Sequence, residues 1–368
     1  MTKKRHKHIK PATKVNRGIY HNEEFLVLGS NDENIKKWIE AIAPQISHQL
    51  SIGFLDIFQE NSLNTRTGQE IHRSQIINHI KIKSIDALAI QIQFGQNDIL
   101  FVNGNHFETS RQILLIDSDQ DINKWISKIN DPFLIILMEE TKALTEQLRE
   151  HLDANDIPVL RWHEHQLAIE HIIGAVSKPE LYGLVLAGGK STRMNQDKGL
   201  IDYHGINQRQ WTKELLETVC DKVFYSIRHD QKDQFSDSVI TDKFIELGPY
   251  GAILSAFQTH PNKAWLVMAC DLPLVKETNI HTLIENRDTA KFGTAYLNLE
   301  TNFPDPLMTI WEPKSYPKLL QLLSLGYSSP QKALMNSDIK LVKAQNTEFL
   351  KNVNTPKEYE EVKKSIAK

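Results

Sequence analysis

The chain has 368 residues, of which 40% are hydrophobic and 24% charged, and its formal net charge is -3. That balance is ordinary for a globular protein: it argues against disorder and selects neither nucleic acid nor a membrane surface as partner. No apolar run approaches the roughly 18 residues needed to cross a bilayer, so the sequence reads as soluble, and its length favours two domains.

Residues 1–20 begin with Lys3, Lys4, Arg5, Lys7 and Lys10 beside His6 and His8, with no apolar segment of signal-peptide type behind them. They read as a basic, solvated, flexible arm. From residue 21 onward apolar runs alternate with helical patterns, the sequence form of an α/β protein with a mainly parallel sheet. Strands are predicted over residues 25–28, 51–55, 99–102, 113–116, 133–138 and 158–160, and helices over 31–43, 121–129, 141–152 and 164–173. Residues 176–180 then have the polar, Pro-containing character of a linker. A second series starts at Leu184 and continues through 223–226, 265–269 and 292–297, ending in a helix after Pro356, where proline suits a first turn. The expected architecture is two three-layer αβα domains, residues 21–177 and 178–368, the second Rossmann-like. Cys220 and Cys270 have neither CxxC spacing nor a histidine at metal spacing, and read as buried thiols in a reducing cytoplasm.

The most informative stretch is Leu184-Val185-Leu186-Ala187-Gly188-Gly189-Lys190-Ser191-Thr192-Arg193-Met194, followed by Asp197-Lys198. An apolar strand breaking into paired glycines and a cationic loop delivers backbone N–H groups and positive charge to a phosphate. Gly188 and Gly189 let a ligand approach the backbone, while Lys190, Arg193 and Lys198 offset triphosphate charge. The spacing is neither GxxxxGK[ST] nor GxGxxG, so another nucleotide architecture is needed. A strand ending in Gly-Gly alone would most often be a turn; the clustered cations argue against that reading. The buried-looking run from Trp265 ends in Asp271-Leu272-Pro273, which puts a carboxylate at a strand's carboxyl end, where ligands of open parallel sheets sit. Asp271 either holds a divalent ion there or caps the next helix. Asp242 and the turn Gly248-Pro249-Tyr250-Gly251-Ala252 are further candidates, the turn as a place of close ligand approach.

Together Val185-Leu186-Ala187-Gly188-Gly189-x-Ser191-x-Arg193-Met194, Asp197-Lys198-Gly199-Leu200, Gly248-Pro249, Asp271-Leu272-Pro273, Asp305-Pro306-Leu307 and Asn354-Thr355-Pro356 resemble the molybdenum cofactor guanylyltransferases, the MobA-like nucleotidyltransferases, over residues 181–365. Asp-Lys at 197–198 is similar to the guanylyl group, whereas the related cytidylyltransferases carry Pro-Lys there. The resemblance implies a nucleotidyltransferase fold in which Leu186, Ala187, Gly188, Gly189, Lys198, Ser226, Asp242 and Asp271 bind GTP, Asp271 also holds Mg2+, and Arg193, Lys198 and Asp271 are catalytic. It implies transfer of GMP from GTP to molybdenum-loaded molybdopterin with release of pyrophosphate, the product going on to molybdoenzymes or their chaperones. Two positions depart from the pattern: Asn195 replaces a glycine, and Ser226-Ile227-Arg228 replaces Asn-x-Asn. Transfer from CTP, another phosphorylated acceptor, and a non-catalytic carrier of the cofactor therefore stand as alternatives.

In the first half, Phe25-Leu26-Val27-Leu28-Gly29 and the helix after it resemble the start of a P-loop domain, and with Asp98 to Gly104 the small GTP-binding MobB-like partner family. Asn34 and Ile35 stand where glycine and lysine belong, Asp32 and Glu33 would repel a triphosphate, and Asn103 replaces a second acidic site. A degenerate domain is expected, serving pterin binding, partner contact or dimerisation, or a purely structural role.

Overall fold

The computed structural model describes residues 19, 22–56, 73–74, 77–79, 87–117, 124–139, 141, 143–144, 146–152, 157–188, 198–235 and 238–366. The chain divides into two compact units, with a break between Lys178 and Pro179.

In the first unit the elements run β1 (Glu23–Leu28), α1 (Asp32–Ile46), β2 (Ile52–Leu55), β3 (Arg73–Ser74), β4 (Ile77–His79), α2 (Ala87–Phe94), β5 (Ile99–Asn103), β6 (Gln112–Ile116), β7 (Pro132–Leu137), α3 (Glu146–Leu152), β8 (Val159–Arg161) and α4 (His165–Ala175). They build one sheet of order β3-β4-β2-β5-β1-β6-β7-β8, parallel throughout except between β3 and β4. Alternation along β1 explains the layering. Phe25 and Val27 pack with Trp38, Ile39 and Ile42 of α1 and Ile169 and Ile172 of α4, whereas Leu26 and Leu28 pack with Phe94 of α2 and Leu148 and Leu152 of α3. A strand apolar on both faces needs helices on both sides, which a parallel sheet provides.

Two predicted helices are shorter than expected. Over 121–129 the described part, from Lys124 on, holds only a 3-10 turn, Ile126–Lys128. The Gln112 side chain captures the backbone there, donating to the Lys128 carbonyl (2.7 Å) and accepting from the Asn130 and Asp131 N–H groups. The helix expected over 141–152 begins only at Glu146.

The second unit runs β9 (Leu181–Leu186), α5 (Gln208–Glu217), β10 (Lys222–Ile227), β11 (Val239–Thr241), α6 (Pro249–Thr259), β12 (Ala264–Ala269), α7 (Glu277–Glu285), β13 (Gly293–Asn298), β14 (Phe303–Trp311), α8 (Ser315–Ser324), α9 (Pro330–Met335), β15 (Lys340–Val342) and α10 (Pro356–Ile366). Its sheet has the order β11-β10-β9-β12-β14-β13-β15, with only β14 antiparallel to its neighbours. One face packs Val185, Leu266 and Met268 against α5 and α7; the other packs Leu184, Trp265 and Val267 against α6, α8 and α9. The mainly parallel αβα architecture expected from the sequence is what both units have. Among the described residues no helix is long and apolar enough to cross a membrane.

Near the start of this unit Arg287 grips Glu312 with Nε (2.7 Å) and Nη2 (3.0 Å) and donates from Nη2 to the Pro179 carbonyl (3.0 Å). Glu312 is 1% exposed, so this ion pair is a buried one.

β14 also buries a carboxylate. Asp305 Oδ1 accepts from the N–H groups of Leu307 (2.9 Å) and Met308 (3.1 Å), but burial, with the Asp271 charge adding to it, pushes its carboxyl above the usual range. A carboxyl raised in the fold contributes fully below the unfolded value of about 3.9, and that contribution is lost as pH rises through the folded value. Asp305→Asn keeps the acceptor without the charge. It is expected to unfold at a higher temperature than the natural chain at pH 8, in calorimetric scans, with the gap closing as pH falls toward 4; a gap that widens in acid would contradict the assignment.

Candidate functional site

The carboxyl ends of three adjacent parallel strands frame the site. Leu186 at the end of β9 stands between Ser226 of β10 and Ala269 of β12, so those flanking backbones lie about 10 Å apart. The Ala187 N–H donates to the Ser226 carbonyl (3.1 Å), carrying the pairing one residue past β9. The Gly188 carbonyl beyond it accepts from Arg228 Nη1. Gly189 and Arg193, with the remainder of 189–197, lie outside the described residues.

The chain is described again from Lys198, in the 3-10 turn Lys198–Leu200. Lys198 Nζ donates to Asp271 Oδ2 (3.2 Å) and to Asn354 Oδ1. Asp271 follows β12, and its carbonyl accepts from the Val353 N–H (3.0 Å), which draws residues 353–354 to the strand end. Asn354 in turn is set by the start of α10. Glu358 Oε2 accepts from the N–H groups of Asn354 (2.7 Å) and Thr355 (2.9 Å), while Thr355 Oγ1 accepts from the Glu358 N–H (3.3 Å), a reciprocal capping box. The bond from the Asn354 N–H holds the Glu358 carboxyl below its usual range. Ile201 and Tyr203 pack with Val353 and Val362, fixing the segment that carries Lys198 against α10. The lysine is thus pre-positioned, and Asp271 Oδ1, buried, has no hydrogen-bond partner among the described residues.

A second group gathers at β10. Ser226 is 2% exposed, and its Oγ donates to Asp242 Oδ1 (2.8 Å) just past β11. Burial pushes the Asp242 carboxyl up, against the Ser226 bond and the Arg228 charge. The structure therefore assembles Lys198 with Asp271, and separately Ser226 with Asp242, around the Ala187-Gly188 strand end. Asn354 was noted in the sequence only as part of a motif; its place before a Thr-Pro helix start was the signal. Gly248 precedes α6 with φ 54°, a conformation glycine tolerates best, and a Cβ there would meet no described atom within 4 Å. A Cβ on Gly251 would lie 2.2 Å from the Phe244 carbonyl, so that glycine is required by packing rather than by ligand approach.

In the first unit, the start of α1 after β1 is met by side chains from β5 and the loop beyond it. Asp32 accepts from Asn103 Nδ2 (3.0 Å) and Asn105 Nδ2 (2.7 Å) and pairs with His106 Nε2 (2.9 Å). Burial pushes the Asp32 carboxyl up, but these bonds outweigh it and hold it below the usual range. Asn103, fully buried, also donates to Asp56 Oδ1 (2.8 Å). Glu33, expected to oppose a phosphate, turns instead to Lys37 (2.6 Å) on α1.

A family model of the MobA-like NTP transferase domain matches residues 183–340. Residues 183–340 are a MobA-like NTP transferase domain. The chain is similar to a molybdenum cofactor biosynthesis bifunctional protein of Synechocystis sp., 34% identical over 190 residues, which are 51% of this chain and 55% of that protein. The chain thus spans about half the length of that relative. It is similar as well to a molybdenum cofactor guanylyltransferase of Pseudomonas putida, 27% identical over 185 residues, 49% of this chain and 96% of that one. Among solved structures it is similar to molybdopterin-guanine dinucleotide biosynthesis protein A from Archaeoglobus fulgidus, at 17% identity and TM-score 0.43, covering 50% of this chain and 98% of that one.

Proposed function

We propose that the second unit transfers GMP from GTP to molybdenum-loaded molybdopterin and releases pyrophosphate, in the cytoplasm, the product passing to molybdoenzymes or their chaperones. The observation that carries this reading is the Lys198-Asp271-Asn354 constellation at the end of β12, facing the strand end that feeds the glycine-rich loop. A terminal phosphate on the pterin attacks the α-phosphorus of GTP; the new P–O bond forms as the bond to pyrophosphate breaks. The attacking oxygen is already ionised, so the chain needs no nucleophile and works by in-line positioning and charge neutralisation.

The backbone of Leu186, Ala187, Gly188 and Gly189 passes along the nucleotide, and Ser226 and Asp242 take its nucleoside end. Lys198 and Arg193 offset the phosphate charge. Asp271 also fits Mg2+: its Oδ1 is buried and unpartnered among the described residues, while no cluster of three metal-type ligands occurs among them. One carboxylate completed by phosphate oxygens and water is a usual Mg2+ arrangement. Bound there, Mg2+ supplies charge neutralisation at the phosphates.

The first unit takes no nucleotide in this reading, because Asp32 already occupies the donors of its loop. A non-catalytic carrier would not need a lysine held beside an open carboxylate oxygen. Thermal unfolding of the full chain with Mg2+ and each of GTP, CTP, ATP and UTP tests the reading. GTP is expected to raise the transition most; stabilisation by CTP and not by GTP would establish the cytidylyl alternative.

A further inference from the structure

Arg228 stands where the family pattern has asparagine, and the transfer chemistry leaves it without a task. Its stem lies along the entry to the glycine-rich loop: a Cβ placed on Gly188 would be 3.6 Å from Arg228 Cγ and 3.5 Å from its backbone nitrogen. The guanidinium is fixed at three points. Nε and Nη2 reach Asp230 Oδ1 (3.0 Å) and Oδ2 (3.1 Å), and Nη1 reaches the Gly188 carbonyl. Of its five N–H groups, two, one on each terminal nitrogen, are engaged by no described residue. Its charge also bears on Asp242, which the Ser226 hydroxyl holds at 2.8 Å. The geometry agrees: the Asp242 N–H donates to the carbonyl of Ile227 (2.9 Å), the residue before Arg228, so the held cation and the held carboxylate leave the ends of paired strands β10 and β11.

We propose that Arg228 is a specificity-determining residue that, beside Asp242, reads the base edge of a 6-oxopurine nucleotide. Guanine offers a carbonyl at position 6 next to N–H groups at positions 1 and 2. The guanidinium donates to that carbonyl while the Asp242 carboxylate accepts from the two N–H groups. Adenine reverses the pattern at position 6, bringing an amino group against the cation. A fixed guanidinium loses little freedom on binding, which suits it to this kind of recognition.

This inference rests on the nucleotidyltransferase reading, and equilibrium binding to the full chain separates the two. Calorimetric titration would use GTP, ITP, which lacks the 2-amino group, and 6-thio-GTP, which keeps both N–H groups but puts sulfur, a weaker acceptor, in place of the 6-carbonyl oxygen. The natural chain is expected to bind 6-thio-GTP about tenfold more weakly than GTP, in line with the weakening of one charge-assisted hydrogen bond. In Arg228→Ala that tenfold preference disappears, while the preference for GTP over ITP, which Asp242 sets, remains. Arg228→Lys restores part of the 6-carbonyl preference, and it serves as the second variant should the alanine form not fold. An unchanged 6-carbonyl preference in both variants would overturn the inference alone. Absence of GTP binding by the natural chain would overturn the reading beneath it.

Discussion

Asp271→Ala lowers turnover with GTP by about three orders of magnitude, the size of effect seen when one charge-stabilising group is removed from a preorganised site. The variant is expected to fold as the natural chain does. Asp271 holds the 353–354 segment through its backbone carbonyl, which the substitution retains, and its side chain is 20% exposed in its pair with Lys198. In the variant Lys198 keeps its bond to Asn354 Oδ1, so its charge is not left without a partner. Pyrophosphate release from GTP in the presence of acceptor, read beside a thermal scan, separates chemistry from stability. Wild-type-like turnover would remove Asp271 from the mechanism, and a collapsed transition would give it a structural role instead.

Glu312→Ala should have the largest effect on stability. The substitution strips a buried guanidinium of its bidentate partner, and breaking a buried ion pair from one side costs about 3–5 kcal/mol. In a unit of this size each kcal/mol moves the transition by roughly 2–4 °C, so a fall of about 10 °C is expected for the second unit. Arg287→Met with Glu312→Leu should recover most of it, since removing both charges leaves neither one stranded. Calorimetry on the single and double variants decides the point; a double variant no better than the single one would show that the pair's geometry, not the orphaned charge, carries the effect.

The fold was legible wherever strands are buried on both faces. β1, β7 and β12 announce themselves as apolar runs because helices cover both sides of their sheets. β14 was hidden by Pro304 and Pro306, residues usually kept out of central strands. It admits them because its pairing with β12 covers only Met308 to Trp311, and its partner β13 shifts register between Ala295 and Leu297. In the site, Lys198 and Asp271 could be read because each ends a local pattern of its own. The partner of Asn354 could not: the Thr-Pro helix start marks the residue, but its contact with Lys198 joins positions 156 residues apart, a meeting that no local pattern records. Asp32 was legible as a charge but its partners were not; the amides that surround it arrive from β5 and the loop beyond, which only the folded sheet brings near.

That 156-residue separation also orders events in time. On a growing chain β9, β10 and β12 are complete, and able to pair, well before α10 has been made. Until then Lys198 lacks its amide partner and the segment that carries it lacks the apolar surface of Val353 and Val362. Synthesis halted beyond β15 would yield a protein with its sheet in place and its pocket unfinished. The Lys198–Asn354 contact is therefore made only after α10 has docked.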